Sequence, residues 1–227
     1  FPKGIFCCLF FFISISVDAQ TNSQEEQLWR LRNLGKAFYE NSVTQYDAVG
    51  EFKKALDLAP GSVRERINYG LSLLRVGKVA EGVTELEKAQ QQDPKIPHTW
   101  FNLGIAYKRD SRYEEAIQQF ERMIVLVPDE PISRYNLGVL YKQTGQQEKS
   151  VQQLQKSAEL DPNLAGPHYQ LATAFRSAGH QEDFRSEMAT FLRIKKEQAN
   201  SAVPVDLEWS LYAEIYEIID PAFAVDN

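Results

Sequence analysis

The sequence predicts an all-α protein built from stacked antiparallel helix pairs, because several residue types recur with one period. A step of 34 residues separates Gly70, Gly104 and Gly138, and the same step continues to Ala172. Prolines and carboxamides follow the same spacing, at Pro60, Pro94, Pro128 and Pro162, and at Asn68, Asn102, Asn136 and Gln170. This period is the length of a helix–turn–helix repeat. Stacked arrays of that kind usually present a surface to a partner and do not catalyse a reaction.

Composition narrows the possible partners. The chain has 227 residues, a formal net charge of −6 and a pI near 5.2, and 43% of its residues are hydrophobic. These values are ordinary for a soluble protein. Nucleic acid is not expected as a partner, because proteins that bind it carry a basic surface.

The first 19 residues have the pattern of a secretory signal peptide. Lys3 precedes an apolar run over residues 4–17, and Val17-Asp18-Ala19 resembles a cleavage site. The run is shorter than the roughly 20 residues that cross a bilayer. We therefore expect cleavage, no stable membrane span afterwards, and export to the bacterial periplasm or the medium. An uncleaved signal that tethers the chain to the membrane is the alternative. Residues 20–26 are expected to form a short linker.

Residues 97–130 show the repeat most clearly. The first helix carries Trp100, Leu103, Gly104 and Tyr107, and the second carries Ala116 and Phe120 before Pro128. Spacings of three, one and three place the first group on one stripe of a helix. The two small residues allow close approach of the helices, while the large ones fill the space around that contact. Proline then ends the second helix.

The pattern W-x2-L-G-x2-Y, then A-x3-F, then proline resembles the tetratricopeptide repeat family. The resemblance covers five repeats, at residues 27–62, 63–96, 97–130, 131–164 and 165–198. It implies a right-handed superhelix, or α-solenoid, in which the first helix of each pair lines a concave groove. The first repeat has a longer link between its helices, and the fifth loses the pattern after Phe175, which is typical of an end cap.

The tail over residues 199–227 breaks the period. Residues 206–219 read as one amphipathic helix between Pro204 and Pro221, with an apolar stripe of Leu207, Leu211, Ile215 and Ile218. We expect a capping helix that docks on the last repeat. A hinge to a further domain outside this chain is the alternative.

One repeat position carries a row of carboxamides that the family resemblance places in the groove: Asn33, Asn68, Asn102, Asn136 and Gln170. The row is similar to the asparagine ladder in the helical arrays of O-linked N-acetylglucosamine transferases. A carboxamide has both donors and an acceptor, so it can hold a peptide backbone without reading its sequence. Alternatively, these side chains bond only neighbouring repeats or water.

Aromatic and basic residues occupy adjacent groove positions. The aromatic residues are Phe101, Tyr135 and Tyr169, and the basic residues are Lys108, Arg109 and Lys142. Aromatic rings supply large contact areas to a partner, and cations attract an acidic segment. Two alternatives remain open: the rings pack against the second helices, and the cations stabilise helix C-termini.

The sequence therefore predicts a non-catalytic scaffold or adaptor that binds a peptide or helix of a partner protein in the groove. The histidines His98, His168 and His180 share no motif, both cysteines lie in the predicted signal peptide, and no cofactor or metal is expected. The alternative function is the N-terminal module of a larger exported enzyme.

Overall fold

The computed structural model describes residues 8–199 and 210–217. Within these ranges the chain forms ten α-helices, one short 3₁₀ turn and no strand. The helices are α1 Cys8–Glu40, α2 Gln45–Leu58, α3 Val63–Arg75, α4 Val79–Gln92, α5 Pro97–Arg109, α6 Tyr113–Leu126, α7 Pro131–Gln143, α8 Gln147–Leu160, α9 Ala165–Ser177 and α10 Gln181–Gln198. The 3₁₀ turn is Leu211–Ala213. The prediction of an all-α chain of five helix pairs is confirmed.

The helices keep the period of the sequence. The first helices of the last four pairs begin at residues 63, 97, 131 and 165, and each has 13 residues. Pro97 and Pro131 open α5 and α7, where proline has no backbone hydrogen bond to lose. Each interval between helix starts equals the 34-residue step of the repeats.

Left-handed residues end most of these first helices. Gly77, Gly145 and Gly179 have φ of 81°, 78° and 79°, and Ser111 takes the equivalent place after α5 with φ of 61°. The amide of the residue after each one bonds back into the helix, as from Lys78 to the carbonyl of Leu73 at 2.9 Å. This is the Schellman arrangement, and it turns the chain into the second helix of the pair.

Small residues bring paired helices into contact. A Cβ added to Gly104 would lie 2.8 Å from Phe120 Cε2, and one added to Gly138 would lie 2.7 Å from Leu154 Cγ. Phe120 and Leu154 are almost fully buried. The close approach inferred from the repeat pattern is therefore present in these pairs.

The described residues group into two compact units, one reaching Glu85 and including Glu217, and one from Leu86 to Tyr216. In the first unit, α1 packs on α2 and α2 packs on α3. Arg32 on α1 donates to Glu65 on α3 at 2.8 Å, and the Glu65 side chain is fully buried. An ion pair thus joins two first helices of that unit.

In the second unit, consecutive helices from α5 to α10 pack on one another, and the 3₁₀ turn packs on α5. Its core contains Phe101, Leu103, Phe120, Leu137 and Leu154. Among the pairs of this unit, the last is the longest because α10 has 18 residues. Ile194 near its end is buried, which indicates that this extension also packs on the unit.

Two expectations for the ends of the chain need correction. Residues 20–26 continue α1 without a break, so they do not form a separate linker. In the tail, residues 210–217 contain one 3₁₀ turn flanked by extended backbone at Ser210 and Glu214, and not the helix expected over 206–219. Residues 1–7, 200–209 and 218–227, which include parts of the expected signal peptide and tail helix, lie outside the described residues.

None of the described helices has both the length and the apolar character required to cross a membrane.

Candidate functional site

Residues 210–216 of the tail rest on α5, the first helix of the third repeat. His98 and Asn102 are four residues apart, so they lie one turn apart on the same side of this helix. The tail segment, defined as residues 210–216, crosses these two side chains. Together with Glu130, which precedes α7, His98 and Asn102 are called the tail-binding site below.

Asn102 holds the tail by its backbone. Its Nδ2 donates to the carbonyl oxygen of Tyr212 at 2.6 Å and to the carbonyl oxygen of His98 at 2.8 Å. Asn102 is 8% exposed, so both bonds form away from bulk water. One N–H of the side-chain amide therefore bonds the Asn102 helix itself and fixes the orientation of the side chain. The other N–H bonds a main-chain acceptor of the docked segment.

His98 provides the aromatic part of the site. Its ring centroid lies 5.3 Å from that of Tyr212, at an interplanar angle of 78°, and 4.8 Å from that of Tyr216, at 55°. These distances and tilts are favourable for aromatic pairs. Burial lowers the pKa of His98 from the ordinary value of 6.5 to about 4. The imidazole is therefore neutral at pH 7 when the tail is docked.

The tail segment is shaped by its own polar groups. Ser210 is 5% exposed, and its Oγ accepts a hydrogen bond from the amide of Tyr212 at 3.4 Å. The carbonyl of Ser210 accepts from the amide of Ala213 at 2.8 Å, which closes the 3₁₀ turn. Leu211 between them is 67% exposed. The turn thus directs Tyr212 towards α5 and Leu211 towards solvent.

Glu130 adds a negative charge beside the tail. It is buried, and its side chain accepts a hydrogen bond from the amide of Ser133 at the start of α7. The pKa of Tyr212 is raised, first by burial and then by the charge of Glu130. This environment favours a neutral phenol at the position of Tyr212 and disfavours an anion.

The other members of the carboxamide row have different surroundings. Asn136 is fully buried; its Oδ1 accepts from Lys108 Nζ at 2.7 Å, and its Nδ2 donates to the carbonyl of Ile132 at 2.9 Å. Gln170 accepts from Lys142 Nζ at 3.0 Å. These two residues bond a neighbouring repeat. This agrees with the alternative that the carboxamides of the row join repeats to one another and do not bind a peptide. The row therefore does not act as one uniform ladder in the second unit.

In the first unit, the carboxamide row differs again. Asn33 on α1 is exposed, and Asn68 on α3 is buried.

Two of the three aromatic residues expected in the groove belong to the core. Phe101 is fully buried and packs edge-to-face on Phe120, with centroids 6.0 Å apart. Tyr135 is 9% exposed and clusters with Leu154 and Leu171. Phe101 thus packs on α6, and Tyr135 packs between α8 and α9. Their expected role as groove contacts is corrected to a role in packing.

The remaining expected contacts are accessible. Tyr169 is 44% exposed, and its ring lies 5.2 Å from that of Phe191 on α10. Arg109 and Lys142 are exposed at the C-terminal ends of α5 and α7. Such positions favour cations. These residues can therefore both stabilise the helix C-termini and attract an acidic segment of a partner.

The sequence reasoning missed the residues that meet the tail. His98 shared no motif with the other histidines, and Tyr212 and Tyr216 were assigned to a capping helix. A usable signal was present, because His98 lies one turn before Asn102 on a helix face that the family pattern assigns to the groove. Among the described residues, no cluster of three or more histidine, cysteine or acidic side chains is suited to hold a metal ion.

Comparisons with known proteins agree with the repeat geometry. Two models of the tetratricopeptide repeat match consecutive parts of the chain, at residues 67–131 and 132–164. Residues 67–164 are tetratricopeptide repeats. No curated protein matches its sequence.

Several solved structures share the fold, and one of them is described as a tetratricopeptide repeat protein. A MamA double mutant is 18% identical with a TM-score of 0.70, and the match covers 77% of this chain and 98% of that one. MamA from Desulfovibrio magneticus RS-1 is 19% identical with a TM-score of 0.66, covering 78% and 98%. YrrB, described as a repeat protein with an unusual peptide-binding site, is 16% identical with a TM-score of 0.61, covering 72% and 84%. At these identities the similarity concerns the fold.

Proposed function

We propose that this tetratricopeptide repeat protein is a non-catalytic scaffold that binds an extended segment of a partner protein on its first helices. The observation that carries the proposal is the hydrogen bond from Asn102 to the carbonyl oxygen of Tyr212. A peptide from another protein would offer the same main-chain acceptor. The description of YrrB as a peptide-binding repeat protein supports the proposal by analogy.

Exposed side chains along the same helices widen the surface for a partner. Arg109, Lys142 and Tyr169 lie on α5, α7 and α9 and are all accessible. Two of them are cations, although the chain as a whole has a net charge of −6. A local positive potential increases the rate at which an acidic segment associates. The partner is therefore proposed to be a protein segment with acidic residues.

Photo-crosslinking tests the proposed surface. Benzoylphenylalanine is placed in the full chain at Arg109, Lys142 or Tyr169 on first helices, and at Val125 or Lys156 on second helices as controls. All five positions are accessible to a partner in the described structure. We expect crosslinks to another protein from the first-helix positions only. Crosslinks confined to the second helices, or no crosslink to any other protein, would contradict the proposal.

We also propose that the scaffold works in the cell envelope after export. The support is the basic, then apolar, then small-residue pattern of residues 1–19. Fractionation of cells that express the gene, followed by N-terminal sequencing, tests this location. We expect the chain outside the cytoplasm with Gln20 as its first residue. A cytoplasmic chain that retains the apolar run would show that the export proposal is wrong.

A further inference from the structure

The tail segment occupies the same side chains that a partner would use. Asn102 bonds its backbone, and His98 lies against both of its tyrosine rings. The contact is between residues 110 positions apart in sequence, so it is not a local turn. The chain thus contains its own example of a segment that fits the tail-binding site.

We propose that the tail-binding site recognises a segment with two aromatic residues four positions apart, and that the tail segment competes with a partner segment of this kind. The proposal rests on the scaffold function above and specifies the chemistry of its partner. The first aromatic residue offers its backbone carbonyl to Asn102. Both aromatic rings then pack on the imidazole of His98.

The spacing of the two aromatic residues suits the non-helical backbone of the docked segment. Tyr212 lies in the 3₁₀ turn, and Tyr216 follows after a stretch without helix or strand. In an α-helix, the carbonyl of Tyr212 would accept from the amide of Tyr216. Here that carbonyl accepts from Asn102 instead. The site therefore selects a non-helical segment whose main-chain acceptor is available.

The electrostatics select the kind of aromatic residue. The pKa of Tyr212 is raised mainly by burial and to a smaller extent by the charge of Glu130. A phosphate at this position would bring further negative charge beside the buried carboxylate of Glu130, which is unfavourable. An uncharged first aromatic residue also fits the docked geometry, in which the Tyr212 ring packs on the buried imidazole of His98. Acidic residues are accepted elsewhere in the segment, since Glu214 lies between the two tyrosines.

The loss of peptide affinity caused by competition from the tail can be estimated from the effective concentration of the tail. A segment that belongs to the same chain as its binding site acts at an effective concentration of about 1 mM. A free peptide with a Kd of about 0.1 mM would then bind the native chain about tenfold more weakly than a chain whose tail is released. Substituting Asn102 alone is a poor test, because it weakens the tail and the partner together.

Peptide binding to the full chain tests the proposal. The probe is a fluorescein-labelled peptide of residues 208–217, Glu-Trp-Ser-Leu-Tyr-Ala-Glu-Ile-Tyr-Glu, measured by fluorescence anisotropy. The released chain carries Tyr212→Ala and Tyr216→Ala. The control chain carries Leu211→Ala, because Leu211 is 67% exposed in the docked tail. Helical content by circular dichroism verifies that each variant is folded.

We expect the peptide to bind the released chain about tenfold more tightly than the native and control chains. Adding Asn102→Ala to the released chain should weaken binding about fivefold, as expected for one lost hydrogen bond. A peptide with alanine at both tyrosine positions should not bind, and one with phosphotyrosine at the first should bind more weakly than the unmodified peptide. Equal binding to the released and native chains would overturn the proposal, as would equal binding of the alanine peptide.

The crosslinking experiment separates this proposal from the scaffold function. The unlabelled peptide should suppress partner crosslinks from Arg109 of the released chain. Partner crosslinks that the peptide leaves unchanged would overturn the proposed partner chemistry while the scaffold function stands. Peptide binding in the absence of any partner crosslink would instead count against the scaffold function.

Discussion

The side-chain amide of Asn102 donates a 2.6 Å hydrogen bond to the backbone carbonyl of Tyr212. The equivalent asparagine one repeat later, Asn136, instead accepts from Lys108, 28 residues before it. One residue type at one repeat position therefore serves two purposes: Asn102 uses Nδ2 to bond the tail, and Asn136 uses Oδ1 to bond the preceding repeat.

Acid should weaken docking of the tail. The pKa of His98 is lowered from 6.5 to about 4 by burial, so the docked state favours the neutral imidazole. A lowered histidine pKa gives stabilisation that is complete above pH 6.5 and is lost as the pH falls towards 4. At pH 5 the docking equilibrium should be roughly thirtyfold less favourable than at pH 7.5, because pH 5 lies 1.5 units below the ordinary histidine pKa and one pKa unit corresponds to a factor of ten.

Proton NMR of the His98 ring checks this pH dependence. The pKa of His98 should be about 4 in the native chain, and it should rise towards 6.5 when Tyr212 and Tyr216 are replaced by alanine. The Leu211→Ala chain should titrate like the native one. The same His98 pKa in the native and the doubly substituted chain would show that the tail is not what buries the imidazole.

Much of the fold was predictable because the residues that make each structural contact recur at equivalent positions in several repeats. Glycine and proline recur at 34-residue steps, and the first helices of the last four pairs begin at the same steps. The close contact of Gly104 with Phe120 follows from the same pattern. A residue that appears in several repeats with one role can be interpreted without coordinates.

The tail was harder to predict because it occurs once. Its apolar residues fit a helical stripe, but short isolated helices are marginally stable in water. In the structure, the main-chain acceptor of Tyr212 bonds Asn102, and Leu211, expected on the buried stripe, is exposed. Contacts with α5 therefore decide the conformation of this segment, and an amphipathic pattern alone does not show them.

The candidate site was predictable in part. Asn102 was expected to bind a peptide backbone, while Phe101 and Tyr135 were expected beside it and lie in the core. Neighbouring positions of a helix differ by about 100° in direction. A small rotation of the helix therefore moves a residue from the groove to the core, and the sequence pattern does not specify that rotation.

Replacing Gly104 by alanine should destabilise the protein. The new Cβ would lie 2.8 Å from Phe120 Cε2, and the buried ring has little room to move. Overpacking of this kind costs about 1–3 kcal/mol, which exceeds the gain in helix propensity of about 1 kcal/mol. Gly50→Ala is the matched control, because nothing lies within 4 Å of its added Cβ.

Urea unfolding followed by circular dichroism at 222 nm measures both glycine variants. Gly50→Ala should raise the free energy of unfolding by about 0.5–1 kcal/mol, since it gains helix propensity without a clash. The prediction for Gly104 would be wrong if both variants were stabilised equally.

Replacing Lys108 by methionine should cost about 1–2 kcal/mol of stability. Lys108 donates at 2.7 Å to Asn136, whose side chain is fully buried, so the bond is shielded from water. Loss of a hydrogen bond to a buried acceptor carries a desolvation cost of this size. Lys142→Met removes the equivalent bond to Gln170, but Lys142 is exposed and water can replace it.

The comparison of the two lysine variants is the test. Thermal and urea unfolding should show a loss for Lys108→Met that is several times the loss for Lys142→Met. Equal effects would indicate that burial of the asparagine does not strengthen the bond between repeats.

Replacing Ser111 by glycine should stabilise the protein by about 0.5–1 kcal/mol. Ser111 has φ of 61° at the end of α5, whereas glycine takes the same place after α3, α7 and α9. A side chain in the left-handed region costs about 1–2 kcal/mol, and part of this is offset by the greater entropy of glycine in the unfolded chain. The reverse change, Gly145→Ala at φ of 78°, should destabilise by about 1 kcal/mol. Urea unfolding measures both variants, and a loss of stability in Ser111→Gly would show that the serine side chain stabilises the turn by more than the backbone conformation costs.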